Sequence, residues 1–263
     1  MSVPTLAHTA LVALAGCGAG AVNAIAGGGT LLTFPALLAV GVPPVLANTT
    51  SAVGLLSGYA GGSLGYRREL GGQAQRVRSL ATVSLAGGVA GAVLLLVTPA
   101  KAFAALVPYL VLTSCLLLAV QPRLARAVAA HRERAQDTAA SRTVVSTEIT
   151  LPLVLGALAS AVYGSYFGAG LGVLLLAVLG VFLEDLLQRL NALKGLLSLL
   201  VNAVGALVFV LTGQVEWLYA GVIALASPLG GYLGSSTARR IAAPVLRAAV
   251  VTLGVAVAIV LMR

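Results

Sequence analysis

Gln188, Asn191, Lys194, Ser198, Asn202 and Gly205 recur at i, i+3 or i+4 spacing within the apolar stretch 186–212. At about 100° per residue they fall on one face of a helix. Amide, hydroxyl and ammonium groups in one line donate hydrogen bonds and supply positive charge, the chemistry that holds an anion. Lys194 dominates the pattern, because a lysine near the middle of a bilayer-spanning helix costs roughly 2.5–3.5 kcal/mol on insertion scales. Such a residue faces a polar cavity or a partner. Arg189 falls on the opposite face near the helix end, where its long stem can snorkel to the interface.

Two glycine-rich breaks add further donors. The first reads Asn23-Ala24-Ile25-Ala26-Gly27-Gly28-Gly29-Thr30. Its glycines free the backbone to leave helical geometry, which at membrane depth is tolerated only inside protein or beside a cavity. A half-helix beginning at Thr30 would aim free N–H groups and its positive dipole end at that cavity, which again favours an anion. No Gly-Lys-Ser/Thr follows, so a phosphate loop for ATP is not supported. The second break runs from Tyr163 through Ser165, Gly168 and Gly170 to Gly172. It lacks Gly-x-Ser-x-Gly, and no histidine stands ready to activate Ser165. Close helix packing is the competing explanation for Gly164 and Gly172. Asn48, Thr49, Thr50 and Ser51 follow Pro43-Pro44; they suit either a helix cap or hydrogen bonds to an oxyanion. The candidate substrate-binding set is thus Asn23, Gly27, Gly28, Gly29, Thr30, Asn48, Thr49, Thr50, Ser51, Ser165, Gly168, Gly170, Asn191, Lys194, Ser198 and Asn202.

The elements that position these residues belong to a membrane protein. The chain has 263 residues, 59% hydrophobic and 9% charged, against about 25% charged in a soluble domain. The mean hydropathy is +1.04. Apolar runs long enough to span fit at 5–27, 45–66, 77–98, 102–120, 149–168, 186–212, 216–237 and 243–262. Two shorter pieces, 30–41 and 170–182, each follow a glycine cluster and would cover about 18–20 Å as helix. Short glycine-interrupted segments at corresponding places in two halves point to broken or re-entrant helices around a transport site. The expected fold is all-α and polytopic, with about eight long transmembrane helices and two broken segments in two inverted-topology repeats.

Basic residues set the orientation. Arg67, Arg68, Arg76 and Arg78 mark one cytoplasmic loop, and Arg123, Arg126, Arg132, Arg134 and Arg142 mark the central segment. Arg239, Arg240 and Arg247 mark the last loop, while the 212–216 turn carries no Lys or Arg. Both termini are then outside, and the halves enter the membrane from opposite sides. The divisions are a first repeat at 1–120, a cytoplasmic connector at 121–148 and a second repeat at 149–263. The N-terminus lacks the positive region of a cleaved signal peptide, so the first run reads as a retained helix.

Several functions are disfavoured. The net charge of +9 is spread between apolar runs rather than gathered with aromatics, which argues against nucleic acid. Cys17 and Cys115 read as buried thiols, and His8 and His131 lie outside the core helices, so no metal, cofactor or catalytic dyad is expected. Glu184 and Asp185 read as membrane-surface carboxylates, with proton coupling as the alternative. Glu216 and Trp217 read as an interface anchor.

The run from Gly20 through Asn23, Gly27-Gly28-Gly29-Thr30 and Phe34-Pro35 to Leu38 resembles the first signature of the TauE/SafE family of sulfite exporters. Gly41-Val42-Pro43-Pro44 with Ala47-Asn48-Thr49-Thr50-Ser51 continues it. Gly168-Ala169-Gly170-Leu171-Gly172 and Leu190-Asn191-Ala192-Leu193-Lys194-Gly195 look like the matching repeat, and Gly230-Gly231-Tyr232-Leu233-Gly234 closes it. The second half departs from the commoner pattern of a Gly-Gly pair and a Pro, having Ala169-Gly170 and apolar residues there. The resemblance implies a multi-pass cell-membrane exporter of a small sulfur-containing anion, sulfite or an organosulfonate. Its partners would be that anion, the lipid bilayer, a coupling proton or sodium ion, and further copies of the chain in a homo-oligomer. A small-anion channel and a non-transporting membrane scaffold or assembly protein are the rival readings.

Overall fold

The computed structural model describes residues 5–25, 27–65, 67–139, 149–183, 185–237 and 243–262. Regular structure among them is entirely helical: α1 (Leu6–Ile25), α2 (Thr30–Ala39), α3 (Pro44–Gly65), α4 (Ala74–Val97), α5 (Ala100–Ala139), α6 (Leu151–Tyr166), α7 (Leu171–Phe182), α8 (Leu187–Leu211), α9 (Trp217–Thr237) and α10 (Ala243–Leu261). The long helices and the two short ones, α2 and α7, stand where the apolar runs lie. Among the described residues, α1, α4, α5 and α8 are long and apolar enough to cross a membrane alone. That is fewer than the eight expected. The helix α3 has 22 residues, but its polar 48–51 segment and its glycines dilute its hydropathy.

Local chemistry explains the boundaries. Pro44 opens α3, where its missing N–H costs nothing. The first break turns at Gly27 and Gly28, with φ of 73° and 130°, and the second at Gly168 and Gly170, with φ of 80° and 87°. These values are open to glycine and strained for other residues. Residues 121–139, expected in the connector, continue α5 as helix. Arg142, Arg239 and Arg240, which the charge pattern used, and Glu184, read as a membrane-surface carboxylate, lie outside the described residues.

Packing crosses between the halves. The helix α1 lies along α9, and α4 lies along α6; α3 also contacts α9, as α4 contacts α8. Between them α3 packs on α8, and α5 on α10. The same five-residue pattern serves both long contacts: Ser84-Leu85-Ala86-Gly87-Gly88 on α4 and Ser227-Pro228-Leu229-Gly230-Gly231 on α9. A Cβ on Gly87 would sit 2.7 Å from Ala161 Cβ and 3.0 Å from the Leu158 carbonyl oxygen. One on Gly230 would collide with the Cys17 carbonyl. Small residues let the backbones approach this closely, which is how helices associate in lipid without a hydrophobic driving force. Ser84 and Ser227 are fully buried at these contacts.

The interior has two apolar regions. One includes Phe34, Phe103, Phe167 and Phe209, with Phe34 and Phe167 edge to face at 5.5 Å. The other is leucine-rich, drawn from α4, α6, α7 and α8. The candidate site residues lie along the breaks, α3 and α8.

Candidate functional site

Each break is held by a polar side chain. Asn23 Oδ1 accepts the N–H groups of Gly28 at 3.0 Å and Gly29 at 2.8 Å. Gly29 also lacks room for a side chain, since a Cβ there would lie 2.6 Å from the Ala19 carbonyl oxygen. The N–H groups of Leu31, Leu32 and Thr33 bond to the carbonyls of Gly28 and Gly29. In this conformation the first break's N–H groups therefore serve to hold it, with Asn23 as its positioning residue. At the second break, Ser114 on α5 bonds the Ala169 carbonyl at 3.0 Å and the Tyr163 hydroxyl at 2.8 Å.

The breaks touch each other at two places. A Cβ on Gly168 would come within 3.3 Å of Thr30 Oγ1, and one on Gly27 within 3.7 Å of Gly172 Cα. Beside the first contact lies a small cavity of about 10 Å³, room for about one water in this conformation. It gathers five of the expected residues: Thr30, Asn48, Ser165, Gly168 and Asn202. Ala52, Gly164, Phe167 and Phe209 complete its wall. Asn48 Nδ2 donates to the Tyr166 carbonyl at 2.8 Å, and Asn202 Nδ2 donates to the Ser198 carbonyl at 2.8 Å. Each amide keeps a second N–H. Ser165 Oγ is buried with no hydrogen-bond partner among the described residues. The cavity is thus lined by neutral polar side chains together with two aromatic rings.

The remaining expected residues sit elsewhere. Thr49 donates through Oγ1 to the carbonyls of Leu46 and Gln214, and Thr50 Oγ1 accepts the Glu216 N–H at 2.9 Å. These two hydroxyls fasten the α8–α9 turn onto α3. Ser51 bonds Thr33 and so joins α3 to α2. Gly170 caps α7. Lys194 is half-buried and donates to Asn191 Oδ1 at 3.1 Å. Its stem lies beside the other contact between the breaks: a Cβ on Gly172 would be 3.8 Å from Lys194 Cδ and 3.9 Å from Gly27 Cα. Ser198 Oγ is buried and unpartnered one turn along α8.

The family described as sulfite exporter TauE/SafE matches residues 12–261. The chain belongs to this family. It is a membrane transporter, and membership sets it apart from enzymes. Among similar proteins, a probable membrane transporter protein of Sinorhizobium sp is 28% identical over 247 residues, covering 92% of this chain and 87% of that one. One from Haemophilus influenzae is 27% identical over 217 residues, covering 81% and 78%. The probable membrane transporter protein YfcA of Escherichia coli is 27% identical over 218 residues, covering 82% and 76%. No solved structure matches the chain.

Sequence reasoning about this TauE/SafE member missed three features. Ser114 is one polar residue in a leucine-rich helix, and its partners come from distant segments. Phe167 and Phe209 carry no polar signal, although Phe209 stands two turns beyond Asn202 on the same face of α8. Asp185 was placed at a membrane surface, but it is paired: Arg76 Nη1 approaches Asp185 Oδ2 at 2.6 Å and Arg189 Nε approaches Oδ1 at 3.0 Å. Gln73 reinforces the cluster by donating to the Arg189 carbonyl at 3.3 Å. A carboxylate between two guanidiniums is an anchor for the link from α7 to α8. The positive-residue pattern uses Arg76 only for orientation, and Arg189 reads in the sequence as a residue snorkelling to the interface.

Proposed function

We propose that the chain exports a small sulfur-containing anion, sulfite or an organosulfonate, across the cell membrane by alternating access. Lys194 carries this reading. Its ammonium sits within an apolar helix, and its partner among the described residues is the neutral amide of Asn191. A lysine kept in a membrane helix for structure alone would be expected to face a carboxylate. An ammonium with two further N–H bonds to make suits a mobile anion. The sulfur-containing class comes from the family's description. The neutral donors Thr30, Asn48, Ser165 and Asn202 supply recognition without a second charge.

Alternating access is supported by correspondence between the halves. The starts of α8, α9 and α10 follow those of α3, α4 and α5 by one constant interval, which sets Asn48 against Asn191 and Ser51 against Lys194. The contacts of α1 with α9 and of α4 with α6 exchange under the same correspondence, as do the paired Ser-x-x-Gly-Gly segments. On this reading 1–120 and 149–263 are inverted repeats, eight helices span the bilayer, and 121–148 links them in the cytoplasm. A proton or sodium ion couples the export. Flux of sulfite from proteoliposomes tests the proposal: wild-type protein should release it and Lys194→Met should not. Equal release by both would overturn it.

A further inference from the structure

The neutral cavity and Lys194 are different places. Asn202 lines the cavity and Lys194 does not. Eight residues of helix separate them, about 12 Å along α8. Helical side chains lean toward the N-terminus, and Lys194 accordingly reaches back to Asn191, away from Asn202. The crossed breaks stand between the two. Thr30 and Gly168 meet at the cavity, whereas Gly27 and Gly172 meet against the lysine stem. At that second meeting neither break carries a side chain. Backbone faces backbone there, with the lysine stem alongside.

We infer that Lys194, Asn191 and the Ser198 hydroxyl form a second anion station, divided from the neutral cavity by the crossed glycine breaks. This rests on the anion-transport reading above. The chemistry of the two stations differs. The neutral cavity offers amide and hydroxyl donors, with the Ser165 hydroxyl buried and unpartnered. The lysine station offers charge, an amide and the unpartnered Ser198 hydroxyl. An oxyanion would be held more tightly at the charged station, because hydrogen bonds from an ionised donor are the stronger kind. Transport by alternating access then includes a transfer between stations as Gly27 and Gly172 part.

Titration calorimetry of the purified full chain with sodium sulfite tests this. Two separable binding events are expected. Lys194→Met should remove the tighter event and leave the weaker, and Ser165→Val combined with Asn202→Leu should do the reverse. Lys194→Arg should retain both, and melting temperatures of all variants establish that they are folded. If the methionine variant does not fold, Lys194→Gln is expected to give the same split. A single event abolished by either set of changes would overturn the second station while leaving anion transport intact. Absence of any event with sulfite, sulfate, methanesulfonate or acetate on wild-type protein would overturn the transport reading itself.

Discussion

Lys194 and Asp185 show two answers to the cost of charge in a membrane protein. Asp185 is compensated by Arg76 and Arg189. Removing one member of such a buried pair is destabilising. Asp185→Asn should therefore lower stability by about 3 kcal/mol, read as a fall in melting temperature. Lys194 has a neutral partner, so Lys194→Met should hold or raise the melting temperature while the tighter sulfite binding is lost. A drop in melting temperature with unchanged affinity would make Lys194 a structural residue. Ser165 gives a smaller effect: its hydroxyl has no partner to strand, so Ser165→Ala should keep stability and weaken sulfite binding by about fivefold, one neutral hydrogen bond. Lys194 was legible in the sequence because a charge within an apolar run is an anomaly. Thr49 and Thr50 were not separable from Asn48, because adjacent residues on a helix face different neighbours and only the packed α8–α9 turn shows which.

The glycine breaks were legible as elements, because three close glycines between short apolar runs have few other uses in a membrane helix. Their geometry was less so. The expectation of free N–H groups at the first break did not foresee that Asn23 would take two of them. Gly28 has φ of 130°, with the Leu118 side chain 3.9 Å from where a Cβ would stand. Backbone conformation rather than space demands glycine there. Gly28→Leu should abolish flux while the protein still reaches the membrane, and normal flux would show that the break tolerates a side chain. Gly87→Leu and Gly230→Leu should instead disrupt assembly, since α4 meets α6 and α1 meets α9 backbone to backbone at these positions. Low yield of folded protein from both, measured by gel filtration in detergent, is the expected result. The paired Ser-x-x-Gly-Gly segments were visible in the sequence, but small residues are so frequent in this chain that only the packing singles these out.

For the molecule as a whole, composition and run lengths made an all-helical membrane protein legible. Which long helices cross the bilayer was harder, because functional helices such as α3 exchange apolar residues for polar and small ones. Orientation is the point of the topology proposal. A cysteine replacing Gly72, which is exposed between α3 and α4, should label from the cytoplasmic side alone; one replacing exposed Gln214 should label from outside. The reverse pattern would invert the chain. The central claim joins orientation, breaks and charge: a carrier moves an anion whose counter-charge is Lys194. Counterflow of radiolabelled sulfite in proteoliposomes tests it most directly, because a carrier concentrates label transiently against unlabelled sulfite and a channel does not. Wild-type protein should show that transient, Lys194→Arg should show a reduced one, and Lys194→Met none. A full transient with Lys194→Met, or simple equilibration with wild-type protein, would contradict the account.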